Sequence, residues 1–312
     1  MFKKILFATT VSPSCEHAAR VAFDMAKRYN AELIVFHVPG IPTRGFSQFV
    51  TDVKTGEKVT YDEDYLRRVK QEMKNTYAEL LEECENYALE ALPGIPHTET
   101  LRIARKRDVD LIIMGSSTRE GDEGSYAYRR IVGSTLQAVA KAARCPVLVI
   151  GRPAASFWGG FSNIVFGTDF SKASDSAFLF AYKIAKTLGC TLHLFHALDI
   201  SSVYSGKVIP QHEIEDRIRE TREKMKKMYV TKMEGFDDYE IEIWEGIPYV
   251  EIVKFAREKY ADLIVMAHHT REPDPEKAVL GSTMEQVVLR ATCPVASVNR
   301  PDKVENLKSS IC

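Results

Sequence analysis

What is scarce in this chain narrows its function before any motif is read. The 312 residues carry 42 basic and 43 acidic side chains, a net charge of −1. With neither sign in excess there is no field to gather nucleic acid or an anionic membrane surface, and both drop out as expected partners. No apolar segment approaches the roughly 18 residues needed to cross a bilayer. The opening MFKKILFATTVSPS has too short an apolar run for a signal peptide. The cysteines, at positions 15, 84, 145, 190, 293 and 312, form no CxxC pair. Together these point to a cytoplasmic protein with reduced thiols, its cysteines serving as small apolar filler and Cys312 as a free thiol in the tail. No segment sets a Ser or Cys nucleophile beside a base in a known elbow, so an enzyme is not expected.

What the chain does have is repetition. LIIMG followed by a polar loop, GST, an amphipathic stretch and CPVLVI at 111–150 returns as LIVMA, a loop, GST and CPVASV at 263–298. GIP at 94–96 returns at 246–248, and KILFATTVSPS near the start returns as NIVFGTDFSKA from Asn163. The hydrophobic content of 45% suffices for two ordinary cores. The repeat divides the chain into domains at 1–152 and 160–312, joined by a short linker rich in Pro, Gly and small residues.

Within each copy, short apolar runs alternate with helical periodicity. KILFATT and AELIVFHV read as buried strands. Between them HAARVAFDMAKRY places Ala18, Val21, Ala22, Met25 and Ala26 on one stripe, with Ser12 as helix cap, Pro13 in the first turn and Asn30 as the stop. Residues 39–62 lack helical period and read as a long connection, a lid or an interface, with a small hairpin around Lys54-Thr55-Gly56. One helix is expected from Glu63 to about Cys84, then strand YALEAL, helix 97–107, strand VDLIIMG, a loop, a helix from Gly133 and strand PVLVI. The second copy follows suit, with a helix over 173–187 closed by Gly189 and another from His212 to Met233. The polar tail DKVENLKSSIC is expected to fray. Five strands alternating with helices in each half imply an α/β fold of two tandem domains, each a five-stranded parallel sheet covered on both faces.

A helix that opens at Gly-Ser-Thr offers unpaired backbone N–H groups, a hydroxyl and the positive end of its dipole, which together suit phosphate. In an open parallel sheet the ligand sits beyond the carboxyl ends of the strands, where the winding reverses. The end of strand one, the end of strand two and the loop after strand four therefore supply the site.

The succession of a strand ending in (G/A)-T-D-x-S, a strand ending in H-V, D-L-I-(I/V)-M-G, then G-S-T and C-P-V resembles the universal stress protein family, in two tandem copies over nearly the whole chain. The resemblance implies adenine nucleotide alpha-hydrolase-like, Rossmann-type domains, a role in the stress response and, in ATP-binding members, a fixed set of contacts. An Asp closes strand one, a Val after the strand-two His holds adenine through its backbone, and a G-x2-G-x9-G-(S/T) loop wraps the phosphates. Carried onto the first copy, this gives Val38 for adenine and Gly115, Gly133, Ser134 and Thr135 for phosphate. Thr10 stands where the family has Asp, removing a carboxylate for ribose or Mg. The interval from Gly115 to Gly133 is longer than the motif's; Gly121 and Gly124 either take over the wrapping or belong to a flexible surface loop. Arg130, beside Arg129, either closes on the polyphosphate or pairs with Asp122 or Glu123.

The second copy keeps Asp169, Gly281, Ser282 and Thr283, but Ala267 and Thr270 replace the loop glycines and Ala197 follows His196. Its loop HHTREPDPEKAVL holds two prolines and three carboxylates, so this copy is expected to bind nucleotide weakly or not at all. His268 and His269 have no further ligand spacing to make a zinc site. His37 and His196 read as packed, hydrogen-bonded strand residues. The leading expectation is a regulator that binds ATP, with or without Mg, in the first domain; the alternative is an interaction scaffold with degenerate sites, and a weak ATPase or kinase ranks third. The resemblance further implies pairing of the two domains through their last strands within one chain, which hides those edges, and is compatible with a homodimer.

Overall fold

The computed structural model describes residues 1–42, 49–116, 133–151, 160–199, 210–267, 282–300 and 302–304. The chain divides into two compact units, Met1–Gly151 and Arg152–Cys312. In the first, the strands are β1 Lys4–Thr9, β2 Glu32–His37, β6 Tyr87–Ala91, β7 Leu111–Gly115 and β8 Val147–Ile150. They pair in parallel in the order β8-β7-β1-β2-β6. The chain winds outward from β1 through β2 to β6, then crosses back to β7 and β8, so the winding reverses between β1 and β7.

The helices of this unit are α1 Glu16–Tyr29, α2 Glu63–Thr76, α3 Ala78–Glu82, α4 Pro96–Lys106 and α5 Ser134–Ala142. All five apolar positions of the α1 stripe are buried. Asn30 closes α1 in the left-handed region at φ 49°, a conformation that its short polar side chain tolerates. Three short strands, β3 Gly40–Pro42, β4 Phe49–Asp52 and β5 Lys58–Thr60, form a separate antiparallel sheet. The hairpin turn contains Gly56 at φ 73°, in the left-handed region open to glycine.

The second unit repeats this plan. Its strands β9 Asn163–Gly167, β10 Thr191–Leu198, β11 Tyr239–Glu245, β12 Leu263–Met266 and β13 Val295–Ser297 pair in parallel in the order β13-β12-β9-β10-β11. Its helices are α6 Lys172–Leu188, α7 Gln211–Met228, α8 Pro248–Glu258 and α9 Ser282–Arg290. A carboxylate ties the start of strand one to strand four in both copies. Asp110 Oδ2 accepts from Lys3 N at 2.8 Å and Lys4 N at 3.0 Å, and Asp262 Oδ2 accepts from Ser162 N at 2.6 Å and Asn163 N at 3.0 Å.

The structure departs from the sequence reading in three places. Ser12 makes no cap bond; a 3-10 turn over Pro13–Cys15 precedes α1, and the Ser12 hydroxyl pairs with Thr10 and Ser14 instead. The single helices expected over 63–84 and 212–233 are each interrupted at a tyrosine, Tyr77 and Tyr229. The start of the tail is anchored rather than frayed: Val304 is fully buried and its carbonyl accepts from Lys183 Nζ at 2.7 Å.

Candidate functional site

The end of strand one is built identically in the two units. Thr9 closes β1, and its hydroxyl accepts from Val11 N at 2.9 Å and lies 2.5 Å from the Tyr77 hydroxyl. Thr168, just past β9, accepts from Phe170 N at 2.9 Å and lies 2.7 Å from the Tyr229 hydroxyl. The backbone carbonyls of the same threonines face the strand-two histidines, at 2.8 Å from His37 Nδ1 and 2.7 Å from His196 Nδ1. Both histidines are thus packed, hydrogen-bonded strand residues, as read from the sequence, and burial pushes both imidazoles below their ordinary pKa of 6.5. Burial likewise pushes the Tyr229 phenol up to about 12.

Val11 and Phe170 carry φ of 54° and 60°. A β-branched or bulky residue is strained in this region by the contact between Cβ and the neighbouring carbonyls. The strain recurs at matching positions of the two copies, at the point where the winding reverses.

The residues between threonine and strained turn differ. Asp169 Oδ1 accepts from Ser171 N at 2.9 Å and from the Ser174 hydroxyl at 2.7 Å. In the first unit Thr10 holds the Asp169 place and Cys15 the Ser174 place, with Thr10 Oγ1 and Cys15 Sγ 3.2 Å apart. Thr10 also lies 2.7 Å from the Ser12 hydroxyl, which is 2.8 Å from that of Ser14. An acceptor-only carboxylate has been exchanged for a chain of hydroxyls able to donate.

Val38 is buried, one residue past β2, and the three-stranded sheet begins two residues later. The Tyr65 hydroxyl donates to Asp52 Oδ2 at 2.6 Å and also lies 3.2 Å from the Pro39 carbonyl, so the insertion is pinned beside the end of strand two. Lys54 pairs with Glu72. In the second unit the position matching Glu72 is Lys224, whose Nζ sits 4.2 Å from the centre of the Phe170 ring. The two mouths therefore differ in charge at a corresponding point.

Gly115 ends β7. A Cβ built there would meet Ser14 O at 3.5 Å and Cys15 Cα and Ala18 Cβ at 3.8 Å, ordinary contacts. Neither backbone angle nor packing among the described residues demands glycine at this point. Gly133 is the N-cap of α5 and makes no side-chain cap, and no acidic residue lies in the first turn. Because β7 and β8 are parallel, α5 runs against them and its N-terminus lies at the carboxyl end of the sheet. Ser134 is exposed and Thr135 half-buried there. In the second unit α9 begins at Ser282, includes Thr283 and carries Glu285 in its first turn, a carboxylate already answering the dipole. Gly121, Gly124, Arg130 and Gly281 lie outside the described residues, as do His268 and His269. Among the described residues no group of three or more His, Cys, Asp or Glu is placed to hold a metal ion, and no helix is long and apolar enough to cross a membrane.

The sequence reading missed Thr9, Thr168, Tyr77 and Tyr229. Their signal was available in the internal repeat: superposing the two copies puts Thr on Thr and Tyr on Tyr, each tyrosine at the end of an amphipathic helix.

Duplicated parallel sheets, each with its winding reversed beside strand one and with helices between the strands, define an α/β protein of two tandem domains. The model of the universal stress protein family matches residues 1–151 and again 160–299, and the chain belongs to that family. A curated universal stress protein of Methanocaldococcus jannaschii is 29% identical over 159 residues, covering 49% of this chain and 84% of its own length. The crystal structure of a universal stress protein from Archaeoglobus fulgidus covers 95% of this chain and 98% of its own, with a TM-score of 0.65 at 19% identity, a likeness of fold. A universal stress protein solved in complex with cAMP is 26% identical, covering 45% of this chain and 98% of its own, with a TM-score of 0.32.

Proposed function

We propose that this chain binds an adenine nucleotide, ATP foremost, in its N-terminal unit, and that it acts in the cytoplasm as a stress-response regulator without catalytic turnover, its bound state being read by partners. The observation that carries this reading is the start of α5: a glycine cap, no side-chain cap and no carboxylate in the first turn, on the side of the sheet where the winding reverses. Such a terminus leaves N–H donors for an anion. The absence of any packing demand for glycine at Gly115 among the described residues supports it further, since glycine lets a ligand approach the backbone.

Among the described residues of this unit no cluster of carboxylates is placed to hold Mg, so the cation is expected to come with the nucleotide. The hard cation favours carboxylate oxygens, and Thr10 supplies a hydroxyl. The second unit supports the scaffold reading instead: Asp169 is engaged by Ser171 and Ser174, and Glu285 stands in the first turn of α9.

Calorimetry on the purified full chain tests the proposal. ATP is expected to bind with one site per chain, and Gly133→Asp, which sets a carboxylate against the phosphates, is expected to abolish binding while the far-UV spectrum is kept. Absence of ATP affinity in the unaltered chain would refute the nucleotide reading.

A further inference from the structure

The strained turn after strand one recurs in both units, and so does the buried pair that holds it. Thr9 is 7% exposed and Tyr77 4%; Thr168 is 8% and Tyr229 0%. Each tyrosine ring stands edge-on to the phenylalanine two residues before its threonine, Phe7 at 5.7 Å and Phe166 at 5.2 Å between centroids. The helix that carries each tyrosine stops at it: at Tyr77, φ is −110° and ψ 21°, and at Tyr229 they are −118° and −50°. Two helices are thus interrupted at the residue whose hydroxyl must reach strand one. A turn at positive φ on a β-branched residue persists only where its surroundings hold it, and the Thr9 hydroxyl does so by accepting from Val11 N.

We infer that Tyr77 and Tyr229 are positioning residues, each fixing through its threonine the strained turn that sets residues 10–12, or 169–171, at the mouth of its unit. In the N-terminal unit this inference rests on the nucleotide reading above for its consequence: the hydroxyls of Thr10 and Ser12 are presented to the ligand only while the turn is held. The C-terminal unit provides a matched control inside the same chain, since it keeps the tyrosine, the threonine and the strain but has a carboxylate in the first turn of α9.

Tyr77→Phe and Tyr229→Phe each remove one buried hydroxyl and leave the ring packing in place. Losing a hydrogen bond of this kind is worth a factor of about five to ten in an equilibrium. The expected result is that Tyr77→Phe weakens ATP binding by about fivefold, whereas Tyr229→Phe leaves it within error, although both lower the thermal midpoint alike. Equal affinity in Tyr77→Phe and the unaltered chain would overturn the inference, as would an equal loss in both variants, which is the mark of a purely structural role. Amide exchange at Val11 and Phe170 reads the turns whether or not nucleotide binds. Exchange is expected to quicken about tenfold at Val11 alone in Tyr77→Phe and at Phe170 alone in Tyr229→Phe; unchanged protection would sink the inference. A chain that binds no ATP but shows the exchange pattern would remove the nucleotide reading and keep the positioning role.

Discussion

Thr10 and Asp169 do the same local work with different chemistry. Asp169 ties the turn to the helix by accepting from Ser174, and Thr10 does so through Cys15, with a softer and longer contact of 3.2 Å against 2.7 Å. Hydrogen bonds to a carboxylate are the stronger kind. The double substitution Thr10→Asp with Cys15→Ser rebuilds the second unit's pair in the first, and returns the carboxylate that the family resemblance assigns to strand one. With Mg present, calorimetry should then find ATP held about tenfold more tightly, on the scale of one charge-assisted hydrogen bond, roughly 1.5 kcal/mol. Unchanged or weaker affinity would mean that the lost acid had no part in binding here. At this scale the sequence was legible where a residue type has one main use, as with Asn30 at a left-handed helix end or Gly133 at a helix start. It was not legible for Ser12, whose hydroxyl had three plausible partners and took the side chains of Thr10 and Ser14 over the helix cap. Nor was Thr9 legible, because a threonine ending an apolar run looks like any other β-branched strand residue until its partner 68 positions away is known.

Elements whose period shows in the chain came through the sequence directly: the five parallel strands of each unit, the α1 stripe and the hairpin around Gly56. The break at Tyr77 did not, since amphipathic spacing continues across it and the residue's partner lies on a distant strand. The strand Gly40–Pro42 was equally hidden, being three residues long and without a period to detect. What holds that small sheet is a side-chain hub. Asp52 Oδ1 accepts from Lys54 N and Thr55 N, both at 2.9 Å, and from the Thr55 hydroxyl at 3.3 Å, while Oδ2 accepts from Tyr65. Burial raises the carboxyl's pKa, but these hydrogen bonds outweigh it and hold it below its ordinary 3.8. Gly40 contributes by its lack of a side chain, as a Cβ there would lie 2.7 Å from Val50 Cγ2. Asp52→Ala is therefore expected to loosen the insertion from α2, costing about 1 to 2 kcal/mol and exposing the turn at Lys54 to trypsin. Urea titration and limited digestion of the full chain check both; a variant cleaved no faster than the parent would show that the strand pairing alone suffices.

Across the molecule, acid is expected to act unequally on the two units, because among the described residues their buried imidazoles are unequally shared. His37 lies in the first unit and His193 and His196 in the second, and burial lowers the pKa of all three from 6.5. The unfolded chain regains the ordinary value, so below pH 6.5 it binds protons that the fold resists. Stability from these groups is complete above that pH and is lost progressively as pH falls toward the lower folded values. His193 is the most constrained of the three. Its Nε2 is 3.0 Å from Asn163 Oδ1, and its Nδ1 is 3.1 Å from Glu240 Oε2, which also accepts from Lys259 at 2.7 Å. Glu240 tempers the effect of burial by favouring the charged ring, and Lys259 opposes it. Trp244, packed edge-on to Phe195 and Phe255 at 5.8 and 5.2 Å, reports on the second unit once Trp158, the chain's other tryptophan, is replaced by Phe. Going from pH 7.5 to 5.5, the urea midpoint followed by Trp244 fluorescence should fall further than the midpoint followed by far-UV circular dichroism, which averages both units. Replacing His193 with Gln should shrink that difference, because one of the two proton-resisting imidazoles among the second unit's described residues is gone. Midpoints that fall in parallel, with or without His193, would mean that the buried imidazoles do not set the acid sensitivity and that carboxylates titrating at lower pH do.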